Sequence, residues 1–187
     1  GYADSYYGKD EGMQSIFEKG MLRRTKADVG IGMPKLTSTS VGVEWNNDDD
    51  TCLADELQQL SLSGEGEGFG EGIRGDVGDL DSGVKLLAMI RSKQMCVYPK
   101  MLLKKVKSYY EDGYFDAEYA KMAFHAVAGS SKLDAVYDKV KENKSNGNQK
   151  LVFCHFRMEM DELKKRFEGL GLRTAIVDGR VTGKKRT

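Results

Sequence analysis

Most apolar residues in this chain recur at intervals of three and four, the spacing of a helix with one buried face. From Met13 the pattern places Ile16, Phe17 and Met21 together. It continues through LRRTK (Leu22 to Lys26), decays at Gly30 and Gly32, and breaks at Pro34. Residues 1–12 show no clear period. Leu36 to Trp45, LTSTSVGVEW, alternates roughly and is rich in Thr and Val, which predicts a strand. NNDDD (Asn46 to Asp50) reads as a turn. CLADELQQLSL then predicts a short amphipathic helix with Leu53, Leu57 and Leu60 on one face.

Residues 64–83, GEGEGFGEGIRGDVGDLDSG, carry eight glycines and little apolar content. Such a composition buries too little surface to offset the entropy of ordering it, so a flexible insertion is expected. Gly68, Gly70 and Gly72 mimic a dinucleotide fingerprint only loosely. No strand leads into them, and the flanking glutamates would repel a pyrophosphate.

Helical spacing returns at VKLLAMIRSKQMC, which ends before Pro99, and continues in KMLLKKVKSYY. Asp116 is an expected N-cap for DAEYAKMAFHAVA, with Gly129 its stop. Ser130 or Ser131 is expected to cap SKLDAVYDKVKENK, where Leu133, Val136, Tyr137 and Val140 share a face; SNGNQ is a loop. LVFCHF then forms a nearly continuous apolar run, as a strand covered on both faces would. The next segment turns Leu163, Phe167 and Leu170 inward and closes at Gly169 and Gly171, before a second apolar run, TAIV. Strand, helix and strand in about 30 residues predict a parallel βαβ unit with a right-handed crossover. The expected fold class is therefore α/β, with a mostly helical region in front.

Charge sharpens this picture. The formal net charge is zero over 187 residues, yet Asn46 to Gly83 holds eleven acidic side chains against one basic, a net of −10. Val84 to Ser130 is +4 and Ser131 to Thr187 is +6. The C-terminal half is the candidate polyanion surface, with ordinary solvated helix faces as the simpler reading. Cys52, Cys96 and Cys154 are odd in number and far apart, which argues against a zinc site or disulfide framework and for a reducing, intracellular compartment. No apolar run approaches the roughly 20 residues of a membrane span. The first residue is Gly1 rather than Met, so further residues are expected upstream.

No catalytic constellation stands out. His125 lies in a helical stretch and reads as structural. His155 sits at the C-terminal end of the first βαβ strand, the edge where open α/β sheets bind ligands, and either a contact or a packing role fits it. The tail DGRVTGKKRT is not a P-loop: three residues rather than four separate Gly179 from Gly183, and Lys185 stands where Ser or Thr should hold magnesium. Arg180, Lys184, Lys185 and Arg186 remain as a cation cluster of the kind that neutralises phosphate backbones.

Three segments in order carry a family resemblance. MLRRTKADV…MPK (Met21 to Lys35) resembles the block that closes the first RecA-like lobe of Swi/Snf-type, superfamily-two DNA helicases. LLAMIRSKQMCVYPKML (Leu86 to Leu102) resembles that family's helix ending in Arg-Gln-x-Cys-x-x-Pro. SSKLDAVYDKV with KLVFCHFRMEMDELKKRFEGLGLRTAIVDGRVTGKKR resembles the opening of the helicase C-terminal lobe. QMCVYPKML is most similar to helicases of large DNA viruses, which implies the nucleus or a cytoplasmic viral factory.

The resemblance implies a fragment of an ATP-dependent translocase on double-stranded DNA. Residues 1–35 would end the first lobe, 36–129 would be an inter-lobe helical region with its insertion at 64–83, and 130–187 would begin a partial second RecA-like lobe. ATP and magnesium belong to the parent protein. The P-loop lysine and the acidic magnesium-holding motif are expected upstream of Tyr2, and the arginine motif downstream of Thr187, so this stretch alone is not expected to hydrolyse ATP. Phe153, Cys154, His155 and Phe156 stand where the family has Phe-Ser-Gln-Phe, which puts the backbone contact on His155 or Arg157. Asp178, Gly179 and Arg186 match the strand-end pair and the closing arginine. The implied nucleic-acid contacts are His155, Arg157, Gly179, Arg180, Lys184, Lys185 and Arg186. Arg23, Arg24 and Lys26 match the lobe-closing block, with bracing of the lobes favoured over DNA contact. The alternative is a non-catalytic nucleic-acid-binding module that uses the basic C-terminal half.

Overall fold

Short polar side chains and leucine spacing set the first helix. In a computed structural model of the chain, which describes residues 30, 32, 36–78 and 80–180, the Asn47 side chain accepts the Asp50 amide at 3.0 Å and opens α1 (Asp48–Ser63). Three aspartates in the first turn face the positive end of the helix dipole. NNDDD is thus a cap and a first turn, and the helix starts four residues before the segment expected from leucine spacing. Leu53, Leu57 and Leu60 are fully buried, as that spacing predicts. The chain divides into two compact units, Gly1–Val41 and Gly42–Thr187, and every described helix belongs to the second.

The stretch 64–83 is not a flexible insertion. It holds α2 (Phe69–Val77) and the start of α3 (Asp81–Val97). Phe69 and Ile73 are completely buried. The glycines serve close approach: a Cβ on Gly68 or Gly72 would lie 2.5 Å from the ring of Tyr119 or Tyr109, and one on Gly75 would fall on the Tyr114 hydroxyl. Composition signals disorder when nothing fills the space left by a missing side chain. Here three tyrosines from later in the chain fill it.

Pro99 ends α3 and begins a 3-10 turn (Pro99–Leu102) that leads into α4 (Leu103–Glu111). Asp116 accepts the Tyr119 amide at 2.7 Å and caps α5 (Ala117–Ala126), as expected. That helix stops three residues before Gly129. A Cβ on Gly129 would lie 2.5 Å from Asn46 Nδ2 and 3.0 Å from Asp50 Oδ2, so this glycine admits the start of α1 rather than ending α5. Phe69, Tyr109, Phe115 and Tyr119 stack edge-on or tilted at centroid distances of 4.6–5.6 Å in the centre of this first core.

A second, smaller core joins the end of α3 to α6 (Ser131–Glu142) and α7 (Arg157–Gly169). Val97 and Tyr98 meet Leu133 and Val140 of α6 and Leu163 and Phe167 of α7. Helix α3 spans both cores, with Val84, Ala88 and Met95 buried in the first.

No strand occurs among the described residues, so the α/β expectation of a partial RecA-like lobe is corrected to an all-α fold. Neither LVFCHF nor TAIV pairs in a ladder, and Leu36 to Trp45 forms none either. The reason lies in where α7 spends its apolar face. A parallel sheet needs helices over both faces and more than two short strands, but Leu163 and Phe167 are already engaged with α6 and Tyr98. Phe153 is left 86% exposed and Leu151 79%. Leu36, Val41 and Val43 are likewise exposed. Among the described residues no helix is long and apolar enough to cross a membrane.

Candidate nucleic-acid interface

Four of the residues expected to touch a nucleic-acid backbone, His155, Arg157, Gly179 and Arg180, come together at the start of α7. Glu159 is buried, and its Oε2 accepts the amides of His155 at 2.9 Å and Phe156 at 3.2 Å. A carboxylate on the first-turn amides satisfies donors that otherwise lack partners and complements the helix dipole. It also fixes the path of the chain, leaving the His155 ring exposed and Arg157 exposed at the first helical position. Burial, and then the charge and hydrogen bond of Glu159, push the Cys154 thiol up to about 11. Cys154 therefore stays protonated at neutral pH and offers no thiolate nucleophile.

The Asp178–Arg180 turn closes on this helix start. The nearest side-chain atom to a Cβ built on Gly179 is Arg157 Nη2, at 3.9 Å. Arg180 reaches one turn further along α7, where Nη1 and Nη2 donate to the two oxygens of Asp161 at 3.0 and 2.9 Å. Its Nε donates to Asp178 Oδ2 at 2.7 Å and its amide to Asp178 Oδ1 at 2.8 Å. The Arg180 side chain holds the Asp161 carboxyl below the usual carboxylate range, and the Arg180 amide does the same for Asp178. The two carboxylates in turn push the guanidinium up.

The structure thus brings His155, Arg157, Gly179 and Arg180 to one end of one helix. It adds Asp161 and Asp178, which the sequence reading did not place in the site. The spacing of Arg157 and Asp161, four apart on a helix, and of Asp178 and Arg180 across a turn was the available signal. Arg180 is engaged by carboxylates, so a phosphate would have to compete for it. Lys184, Lys185 and Arg186, and Arg23, Arg24 and Lys26, lie outside the described residues.

A second polar cluster bolts α6 to α7. Arg166 donates to Glu162 Oε1 at 2.8 Å, to Asp134 Oδ1 at 2.5 Å and to Ser130 Oγ at 3.3 Å. Burial pulls this guanidinium down, but Glu162 and Asp134 outweigh it and the net direction is up. An open hollow of about 360 Å³ beside it is lined by Asp134, Tyr137, Arg166 and Gly169. Its cation already has acidic partners on two sides, which does not fit a nucleotide phosphate. Among the described residues no group of three or more His, Cys, Asp and Glu could hold a metal ion. His125 carries a structural contact: its Nδ1 lies 2.6 Å from Asp49 Oδ2, tying the end of α5 to the start of α1.

Comparison of the chain with protein-family models, with curated proteins and with solved structures finds no match.

Proposed function

We propose that this chain is part of an ATP-dependent DNA translocase or helicase of the Swi/Snf type and contributes helical, non-catalytic structure and contacts to the nucleic-acid backbone. The reading rests on the ordered segments MLRRTKADV, RSKQMCVYP, SSKLDAV, FCHF and DGR. The observation that carries it is the convergence of two of them. FCHF leads into Arg157, and the DGR turn closes beside it through Gly179 and Arg180, although the 13-residue helix Arg157–Gly169 and the chain after it separate them. Exposed His155 and Arg157 at a helix start have the chemistry of phosphate contact. ATP chemistry belongs to other parts of the parent protein.

The test is DNA-stimulated ATP hydrolysis by the product of the complete reading frame, together with the presence of a P-loop upstream and an arginine motif downstream. A complete frame that lacks both motifs ends this reading. The second reading, a nucleic-acid-binding module without a motor, is favoured by the helical core that closes without any strand among the described residues. It would give salt-dependent DNA binding with no ATP turnover.

A further inference from the structure

The segment 64–78 lies over an aromatic floor and is fixed at its two ends by separate polar ties. At the near end Phe69 N donates to Glu56 Oε1 at 3.0 Å and to the Tyr119 hydroxyl at 3.3 Å, while that hydroxyl donates to Glu56 Oε2 at 2.5 Å. At the far end Asp76 accepts from Tyr109 at 2.6 Å and from Lys105 at 2.8 Å. Within the segment, Arg74 donates to the carbonyls of Gly66 at 2.9 Å and Gly64 at 2.8 Å, so loop and helix brace each other. Only two large apolar anchors, Phe69 and Ile73, hold it down. Gly70, Gly72 and Gly75 inside α2 raise the chain entropy recovered on release. Gly64 at φ +80° and Gly78 at φ +74° sit at its two junctions with α1 and α3 in backbone states that glycine adopts without strain.

We propose that residues 64–78 form a strap that opens as one unit about Gly64 and Gly78 while the rest of the helical core stays folded, uncovering the aromatic floor of Tyr109, Phe115 and Tyr119. Internal bracing by Arg74 makes the unit, two large buried side chains and three interior glycines leave it lightly anchored, and the two ties decide when it opens. Local opening of this kind is a cooperative event below the global unfolding free energy.

Native-state hydrogen exchange on the full chain tests this. The hydrogen-bonded amides of 72–78 should exchange at least tenfold faster than the slowest amides of α1 and α3, with little dependence on denaturant. Tyr119→Phe removes one tie and keeps the ring; Glu56→Gln is a second variant that alters the same tie. Either should accelerate exchange in 72–78 at least threefold while its shallow denaturant slope is kept; the slowest amides of α1 and α3 should follow the same loss of native stability but keep their steep slope. Exchange of 72–78 in step with α1 and α3, with the same denaturant slope, would show that the segment opens only on global unfolding and would overturn the strap. Unchanged exchange of 72–78 in both variants would overturn it as well.

Discussion

The Tyr119 hydroxyl stands 2.5 Å from Glu56 Oε2 and 3.3 Å from the Phe69 amide nitrogen, so one phenol joins α5, α1 and α2. A hydrogen bond to a charged group contributes about 1.5–3 kcal/mol, and its loss also leaves the half-buried Glu56 carboxylate short of a donor. Tyr119→Phe is expected to lower the unfolding free energy by about 1–3 kcal/mol in urea titration. A variant as stable as the parent would show that the bond contributes nothing net.

The pH dependence of stability follows from carboxyls that move in opposite directions, Glu56 and Asp50 up, and Asp76, with the exposed Asp161 and Asp178, down. Burial pushes Glu56 above its ordinary 4.5, against the hydrogen bonds from Tyr119 and the Phe69 amide. The folded state then holds a proton that the unfolded chain releases, so this stabilisation is full in acid and is lost as pH rises from 4.5 through the folded value. Asp50, also pushed up by burial, acts in the same direction. Burial raises Asp76 too, but the hydrogen bonds from Lys105 and Tyr109 outweigh it and hold the carboxyl below 3.8, so its stabilisation is lost as pH falls through the folded value. Stability should peak between the two windows and decline toward neutral pH. In Glu56→Gln that decline should shrink, as read from chemical denaturation between about pH 3 and 8. An unchanged profile would remove Glu56 as its source.

The glycines of α2 and α7 should respond in opposite ways. Gly72→Ala places a methyl 2.5 Å from the Tyr109 ring. Overpacking of this kind costs about 1–3 kcal/mol, more than the roughly 1 kcal/mol that alanine gains over glycine in a helix. Gly169→Ala has nothing within 4 Å and should be neutral or stabilise by up to about 0.5 kcal/mol. Thermal melts of the two variants check this, and equal shifts would contradict the packing described around α2.

Much of the helical pattern was legible in the sequence. The spacing of Leu53, Leu57 and Leu60, the cap at Asp116 and the stop at Pro99 each report a local preference that packing reinforced. What failed was non-local. The glycines at 68, 72 and 75 look like disorder until Tyr119, Tyr109 and Tyr114 are brought over them, and those tyrosines lie 37–51 positions later. The runs LVFCHF and TAIV have the composition of strands, but a strand needs partners, and the helix between them packs on α6. At the candidate interface, the resemblance marks His155 and Arg157, and both are exposed at one helix start. Asp178 was marked by the same resemblance, as part of the strand-end pair, but not as a partner of Arg180; Asp161 was not marked, because a carboxylate four residues from an arginine is common on any helix surface.

Arg180 yields a prediction about ligand competition. Asp161→Asn removes one of its two carboxylate partners. The pair is exposed, so stability should hardly move. In the parent protein, affinity for double-stranded DNA should rise at low salt, with the slope of log affinity against log salt steepening by about one ion. Unchanged affinity and slope would place Arg180 away from the DNA.

The basic tail offers the most direct test of the proposed function. In the parent protein, ATP turnover can be followed as double-stranded DNA is titrated at several salt concentrations, for the wild type and for Lys184→Ala/Lys185→Ala/Arg186→Ala. The expected result is turnover stimulated by DNA in the wild type. In the variant, basal turnover should be unchanged, more DNA should be needed for half-stimulation, and the salt dependence should flatten by about three ions. ATP turnover that ignores DNA in the wild type, or no turnover at all, would contradict the account.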